Sequence, residues 1–211
     1  MAGAALITDR QLGRGSALST AIASAPSDDA LLVLFANGDR QAAQDLTGRL
    51  GPRAFGVALR VLGDRAEAED VAQEAMMRLW RMAPDWQPGN AKVSTWLYRV
   101  TINLCLDIKR RQRGKTVPLD RVPDLVDGAR DAVEQIQDAV RVDALQGALM
   151  MLPDRQRQAV VLRHIEDLSN PEIAEIMGIS TEAVESLTAR GKRALSTALA
   201  GRRNELGYDH E

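Results

Sequence analysis

Residues 170–187 read NPEIAEIMGISTEAVESL, and few folds accommodate that order. Ile173, Ile176, Ile179, Val184 and Leu187 recur at helical spacing and pack inward. Ala174 is small enough to sit where two crossing helices touch, and Gly178 permits a sharp turn with positive φ. Pro171 suits the start of the first helix, and Ser180 or Thr181 caps the second. The order matches a helix-turn-helix, whose second helix lies in the DNA major groove. An ordinary helical hairpin shares the apolar spacing. The cations Arg190, Lys192 and Arg193 on the continuing second helix favour the DNA reading, because they are placed to meet phosphates. The outward face is Thr181, Glu182, Glu185, Ser186, Ala189 and Arg190. Glu accepts from cytosine, Ser and Thr pair with several bases, and Ala touches a thymine methyl.

The rest of the chain is also helical in pattern. Strand-like alternation is rare, and good helix formers (Ala, Leu, Arg, Glu, Gln) dominate. A length of 211 residues suits one large domain or two small ones. Ser27 caps a first helix that ends at Asn37-Gly38, and a second stretch runs from Asp39 to Leu62, where Gly51-Pro52 should kink or split it. Asp64, with Glu67 three residues on, opens a third helix through Met82. Pro84, Pro88, Gly89 and Asn90 mark a loop, and Ser94 caps a long fourth helix with Leu97, Val100 or Thr101, Leu104 and Ile108 inward. Residues 114–130 contain Pro118, Pro123 and Gly128 without periodicity. A new helix marked by Val133, Ile136, Val140, Leu145 and Leu149 then leads to Pro153 and a helix around Ala159, Val160, Leu162 and Ile165. The expected fold is all-α: two small helical domains joined by a flexible linker, the C-terminal one a helix-turn-helix. The expected boundaries are a disordered extension over 1–26, a first domain over 27–113, a linker over 114–130, a second domain over 131–200 and a tail over 201–211.

Charge placement says more than the net charge of −2. Lys109, Arg110, Arg111, Arg113 and Lys115 form a basic block, and an acidic stretch with Asp120, Asp124, Asp127, Asp131, Glu134 and Asp138 follows. Two surfaces with different partners are implied. The single Cys105 excludes an internal disulfide framework and fits a reducing compartment. No apolar run approaches the roughly 20 residues that span a bilayer. Arg10, Arg14 and the run ending Ala23-Ser24-Ala25 weakly mimic a signal peptide, but Ser19, Thr20 and Ser24 are too polar, so a cytoplasmic extension is expected. No metal, cofactor or catalytic residue is expected. His164-Ile165-Glu166 has an H-x-E spacing without the Cys pair a zinc deaminase needs, and no Gly-rich phosphate loop appears.

Trp80, Trp86, Trp96 and Tyr98 flank the Pro/Gly loop and open the helix that ends in Lys109-Arg110-Arg111. Aromatics beside cations stack on unpaired bases while phosphates are neutralised, although tryptophans more often fill cores. Arg99, Asn103, Asp107 and Arg110 share one polar stripe, which reads equally as a solvated face.

Three segments together resemble bacterial RNA polymerase sigma factors of the extracytoplasmic-function (ECF) type. DRAEAEDVAQEAMMRLWR (64–81) resembles the part that docks on the polymerase β′ clamp helices. STWLYRVTINLCLDIKRRQR (94–113) resembles the helix that recognises and opens the −10 element, and LPDRQRQAVVLRHIEDLSNPEIAEIMGIS (152–180) the domain that binds the −35 element. The resemblance implies polymerase contacts at Asp70, Gln73, Glu74 and Arg78. It implies a −10 reader of Arg99, Asn103 and Asp107 with Trp96 and the loop from Trp86 to Lys92, which would hold a flipped base, and phosphate contacts at Arg110, Arg111 and Arg113. In the second domain, residues 181–193, including Lys192 and Arg193, would enter the −35 groove. Glu185, Leu187 and Ala189 stand where many relatives carry Lys, Arg and His, which implies an unusual −35 sequence or a weaker contact.

The implied partners are core RNA polymerase (the β′ clamp helices and the β subunit), promoter DNA and an anti-sigma factor. A linker over 114–130, 17 residues, reaches roughly 60 Å, more than one DNA turn, so the two domains can read separate elements. The competing reading is a stand-alone helix-turn-helix regulator bound to operator DNA, which leaves the docking helix without a purpose. A decoy that binds polymerase without opening promoters is a further alternative.

Overall fold

A computed structural model describes residues 25–89, 91–113 and 132–200. The expected linker and tail, and nearly all of the expected extension, lie outside the described residues. The helices are α1 (Asp28–Ala36), α2 (Arg40–Leu62), α3 (Arg65–Met82), α4 (Val93–Arg113), α5 (Ala132–Met150), α6 (Asp154–His164), α7 (Asn170–Met177) and α8 (Thr181–Ala200), with a 3-10 turn at Ala83–Asp85. No strand occurs among the described residues.

Local chemistry sets the helix ends. Ser27 Oγ accepts from the Ala30 N–H at 3.2 Å, and Asp64 Oδ1 accepts from the Glu67 N–H at 2.9 Å, which satisfies donors that a first turn leaves open. Gly63 ends α2 in the left-handed region at φ 78°. The expected split at Gly51-Pro52 does not occur, because α2 is continuous through Pro52. Buried Leu46, Leu50, Ala54 and Val57 pull both halves of the helix onto one core. Pro153 stands just before α6 rather than at its first position.

Helices α1 to α4 enclose one apolar cluster, with Leu31, Leu32, Leu46, Leu50, Leu79 and Leu97 fully or nearly fully buried. A second cluster runs across both halves of the chain. It joins Val57, Ala58, Leu62, Tyr98, Ile102 and Cys105 to Leu149, Val160, Val161, Leu162, Ile173, Ile176 and Val184. The C-terminal helices therefore pack on α2 and α4. This contact explains why α4 is buried more broadly than its sequence stripe suggested: Tyr98, Ile102 and Cys105 are as enclosed as Leu97 and Thr101. Val140, expected inside α5, is instead 38 % exposed.

Polar contacts tie the two halves together. Arg157, 3 % exposed, donates to Val61 O at 2.7 Å and to the Leu149, Met150 and Leu152 carbonyls. Gln146 Nε2 donates to Leu59 O at 3.1 Å.

Candidate nucleic-acid interface

The helix-turn-helix is built as its residues require. Ser169 and Glu172 form a reciprocal capping box at α7, a pattern present in the sequence as Ser-x-x-Glu and not read from it. Gly178 closes α7 at φ 62°, and Ile179 N–H then donates to Ala174 O at 3.1 Å. Ser180 Oγ accepts from the Ala183 N–H at 3.3 Å, so Ser180 is the residue that caps α8. Ile173, Ile176 and Val184 are buried, while Ile179 and Leu187 are half-buried. This packing turns the other face of α8 outward. Glu182, Glu185, Ser186, Ala189, Arg190, Lys192 and Arg193 are exposed and Thr181 is half-buried. Arg190 Nη2 donates to Ser186 Oγ at 2.9 Å, and Asn170 Nδ2 donates to Glu185 Oε1 at 3.3 Å. The Glu182 carboxyl is held below its ordinary range, first by its own backbone N–H and then by Ser180, so it stays charged at the start of α8.

On α3, Asp70, Gln73 and Arg78 are exposed and Glu74 is half-buried, opposite buried Val71, Ala75 and Leu79. Arg78 Nε lies 2.7 Å from Glu74 Oε1 and Arg81 Nη2 lies 3.4 Å from Oε2, and these cations hold the Glu74 carboxyl below its usual range. A hollow of about 390 Å³ lies between Asp70, Val71 and Glu74 of α3 and Leu104, Ile108 and Arg111 of α4. It places the two acids beside one of the expected phosphate-binding cations.

The aromatic group of the first half divides. Trp80 meets Phe35 in a tilted contact, with ring centroids 4.6 Å apart and planes at 58°. Trp86 is half-buried, and its Nε1 donates to Asp29 Oδ1 at 3.0 Å, which fastens the loop to α1. Trp96 is half-buried against the N-terminal cluster. Asn103, Asp107, Arg110 and Arg111 line the exposed face of α4, and Asp107 pairs with Arg110 at 3.3 Å. Arg113 ends the helix, and its side chain lies outside the described residues.

Lys92 and Arg99 are engaged by the second half of the chain. Lys92 Nζ lies 2.7 Å from Glu172 Oε1, while Arg99 Nη2 donates to Glu175 O at 2.8 Å and lies 3.4 Å from Glu175 Oε1. The Tyr98 hydroxyl donates to Glu166. Burial, reinforced by that carboxylate, raises the Tyr98 pKa. The Glu172 carboxyl is pulled down to about 2 by Lys92 and by both hydrogen bonds from Ser169. Glu172 and Glu175 went unremarked in the sequence, and Glu166 was noted only for its H-x-E spacing with His164. Cys105 is enclosed, and burial pushes its thiol up to about 12. No group of three or more His, Cys, Asp or Glu suited to a metal ion occurs among the described residues. No helix among them is long and apolar enough to cross a membrane.

Comparison with known proteins agrees with this layout. Residues 46–115 match the family described as Sigma-70 region 2, and residues 143–195 match Sigma-70, region 4. The chain is 36 % identical over 187 residues to the ECF RNA polymerase sigma factor SigE of Mycolicibacterium smegmatis, covering 85 % of this chain and 72 % of that protein. It is 33 % identical over 174 residues to the ECF RNA polymerase sigma factor SigW of Bacillus subtilis, covering 77 % and 91 %. Its fold is similar to that of CnrH, solved in complex with the cytosolic domain of CnrY, at a TM-score of 0.61 and 26 % identity, covering 83 % of this chain and 99 % of that one. The sigma factor RpoE of Bartonella quintana, solved with the anti-sigma factor NepR, shares the fold at a TM-score of 0.61 and 20 % identity, covering 74 % and 96 %. With both sigma regions matched in order and curated relatives aligned along most of their length, the chain belongs to the ECF family of RNA polymerase sigma factors and is an alternative sigma factor that directs transcription initiation.

Proposed function

We propose that the chain divides promoter recognition between its two helical modules. Asp70, Gln73, Glu74 and Arg78 dock on the β′ clamp helices of core polymerase, with the β subunit as a further partner, and the acidic segment joining the modules serves the polymerase active-site channel. Lys92, Trp96, Arg99, Asn103 and Asp107 read the −10 element, with Trp86 fixing the loop rather than stacking on a base. Arg110, Arg111 and Arg113 neutralise phosphates there. Thr181, Glu182, Glu185, Ser186, Ala189 and Arg190 face the −35 major groove, with Lys192 and Arg193 on its phosphates. The domain boundaries fall at about residues 27–113 and 131–200. The protein works in the cytoplasm, and an anti-sigma factor holds it in check.

The observation that carries this reading is the exposed face of α8, where Ser186, Ala189, Arg190, Lys192 and Arg193 project from a helix whose other face is fixed by buried Val184 and the turn at Gly178. A net charge of −2 leaves little general attraction for DNA, so polymerase supplies most of the affinity and this chain supplies register. Run-off transcription with purified core polymerase on a library of genomic fragments tests it. New start sites that share two spaced elements are expected. Tight binding to a palindromic site without polymerase would instead favour the stand-alone regulator.

A further inference from the structure

The loop from Trp86 to Lys92 is held at both ends by the fold, and one end depends on a residue far away in sequence. Just past its second end, Val93 is fully buried where α4 begins. At its first end, the backbone N–H of Trp86 donates to Ala83 O at 3.2 Å and the ring packs on the N-terminal cluster. The indole Nε1 donates to Asp29 Oδ1 at 3.0 Å. Between these anchors Gln87, Pro88, Gly89 and Lys92 are exposed. Gly89 turns the backbone there at φ 96°.

Asp29 is itself held in place. It lies in the first turn of α1, where the helix N-terminus favours a carboxylate. Beside it, Asp28 lies 3.5 Å from Arg49 Nη1, which also donates to Pro26 O at 2.7 Å. Leu31 and Leu32, buried just beyond, seat α1 in the core. Helix α2 therefore grips the entry to α1, and α1 grips the loop through Asp29. A half-buried carboxylate accepting an indole N–H makes a charge-assisted bond, stronger than one between neutral groups. Flipping a base costs its stacking and pairing, and a pocket already in shape offsets that cost without a further loss of loop freedom.

We propose that Asp29 is a positioning residue for promoter opening: through Trp86 it fixes the loop in the shape that receives an unstacked base, and it touches no DNA itself. The proposal rests on the −10 role given to that loop. It adds α1 to the apparatus that opens the duplex.

Holoenzyme assembled from core polymerase and the full chain tests it on a promoter duplex found by run-off transcription. Single abasic sites are placed in turn along the non-template strand of the −10 element, and opening is timed by permanganate reactivity of unpaired thymines. With the unaltered chain, one abasic position is expected to slow opening at least tenfold. Asp29→Ala and Trp86→Phe should each slow opening of the intact duplex at least fivefold. Both should also shrink that abasic penalty to below threefold, because the base no longer meets a fixed pocket. Asp29→Asn, whose amide oxygen still accepts from Nε1, should restore the penalty. A role in stability alone would slow every template alike and leave the penalty unchanged. That outcome overturns the proposal while the base-holding loop survives. An unaltered chain that starts no transcript, or that shows no abasic penalty at any position, overturns the loop and the proposal together.

Discussion

Arg157 shows how much a single side chain can organise. Its guanidinium donates to Leu149 O at 2.7 Å, Met150 O at 2.8 Å, Leu152 O at 2.9 Å and Val61 O at 2.7 Å. The Val61, Leu149 and Met150 carbonyls belong to the ends of α2 and α5, where helices carry partial negative charge, and Leu152 lies in the turn after α5. Arg157→Met would take a donor from four carbonyls, of which Leu149 O keeps the Leu152 N–H, in a site where Arg157 is 3 % exposed. A loss of about 3 kcal/mol is expected, measured as a lower urea midpoint. Arg157→Lys should recover little of it, because an ammonium cannot reproduce the planar fork. Glu172 gives a second residue-level expectation. Its folded pKa of about 2 lies below the ordinary 4.5. Its contribution is therefore complete above about 4.5 and drains away as pH falls toward 2. The groups facing it are Lys92 and Ser169. Acid should thus loosen the start of α7 and its contact with Lys92 together. Glu172→Gln should flatten that pH dependence, followed by amide hydrogen exchange in α7.

Between elements, the tightest approach in the C-terminal module is one its motif did not announce. Ala174 was the expected small residue at a helix crossing, and it is half-buried. The closer contact is Gly191, where an added Cβ would stand 2.5 Å from Val160 Cγ2 and 3.3 Å from Gln156 O. Gly191 therefore lets α8 lie against α6, and that contact sets the angle at which α8 presents its outward face. Gly191→Ala is expected to cost about 1–3 kcal/mol through overpacking and to lower the melting temperature. Helix propensity alone would predict the opposite sign, since Ala stabilises a helix relative to Gly by about 1 kcal/mol. Gly178 is restricted for a different reason. A Cβ added there would meet nothing within 4 Å, but a φ of 62° strains any L side chain.

At the scale of the molecule, the proposed docking face of α3 stays clear of the C-terminal module. Asp70, Gln73 and Arg78 remain exposed on α3 while the C-terminal module covers part of α4. Asp70→Lys combined with Glu74→Lys should weaken association with core polymerase at least tenfold, because facing charges change sign. Circular dichroism should show the helices intact, since both positions lie on the solvent side of α3. Fluorescence anisotropy of a labelled chain titrated with core enzyme measures the change, and an unaltered affinity would remove α3 from the docking surface.

Helix positions, the turn at Gly178 and the outward residues of α8 followed from the sequence alone. They depend on neighbours three to four residues apart, and periodicity records such contacts directly. Packing between the modules did not follow from it. The cluster joining Ile102 and Cys105 to Leu149 and Ile173, the reach of Arg157 to Val61, and the acids facing Lys92 and Arg99 all link residues distant in sequence. A lone acid or arginine looks the same in sequence whether it faces water or a partner. Pro52 teaches the same lesson within one helix, since its local rule was overruled by the core on which α2 lies. Local order was thus written in the spacing of residues, whereas which surfaces are covered was decided only when separate helices met, because burial and charge pairing belong to both partners at once.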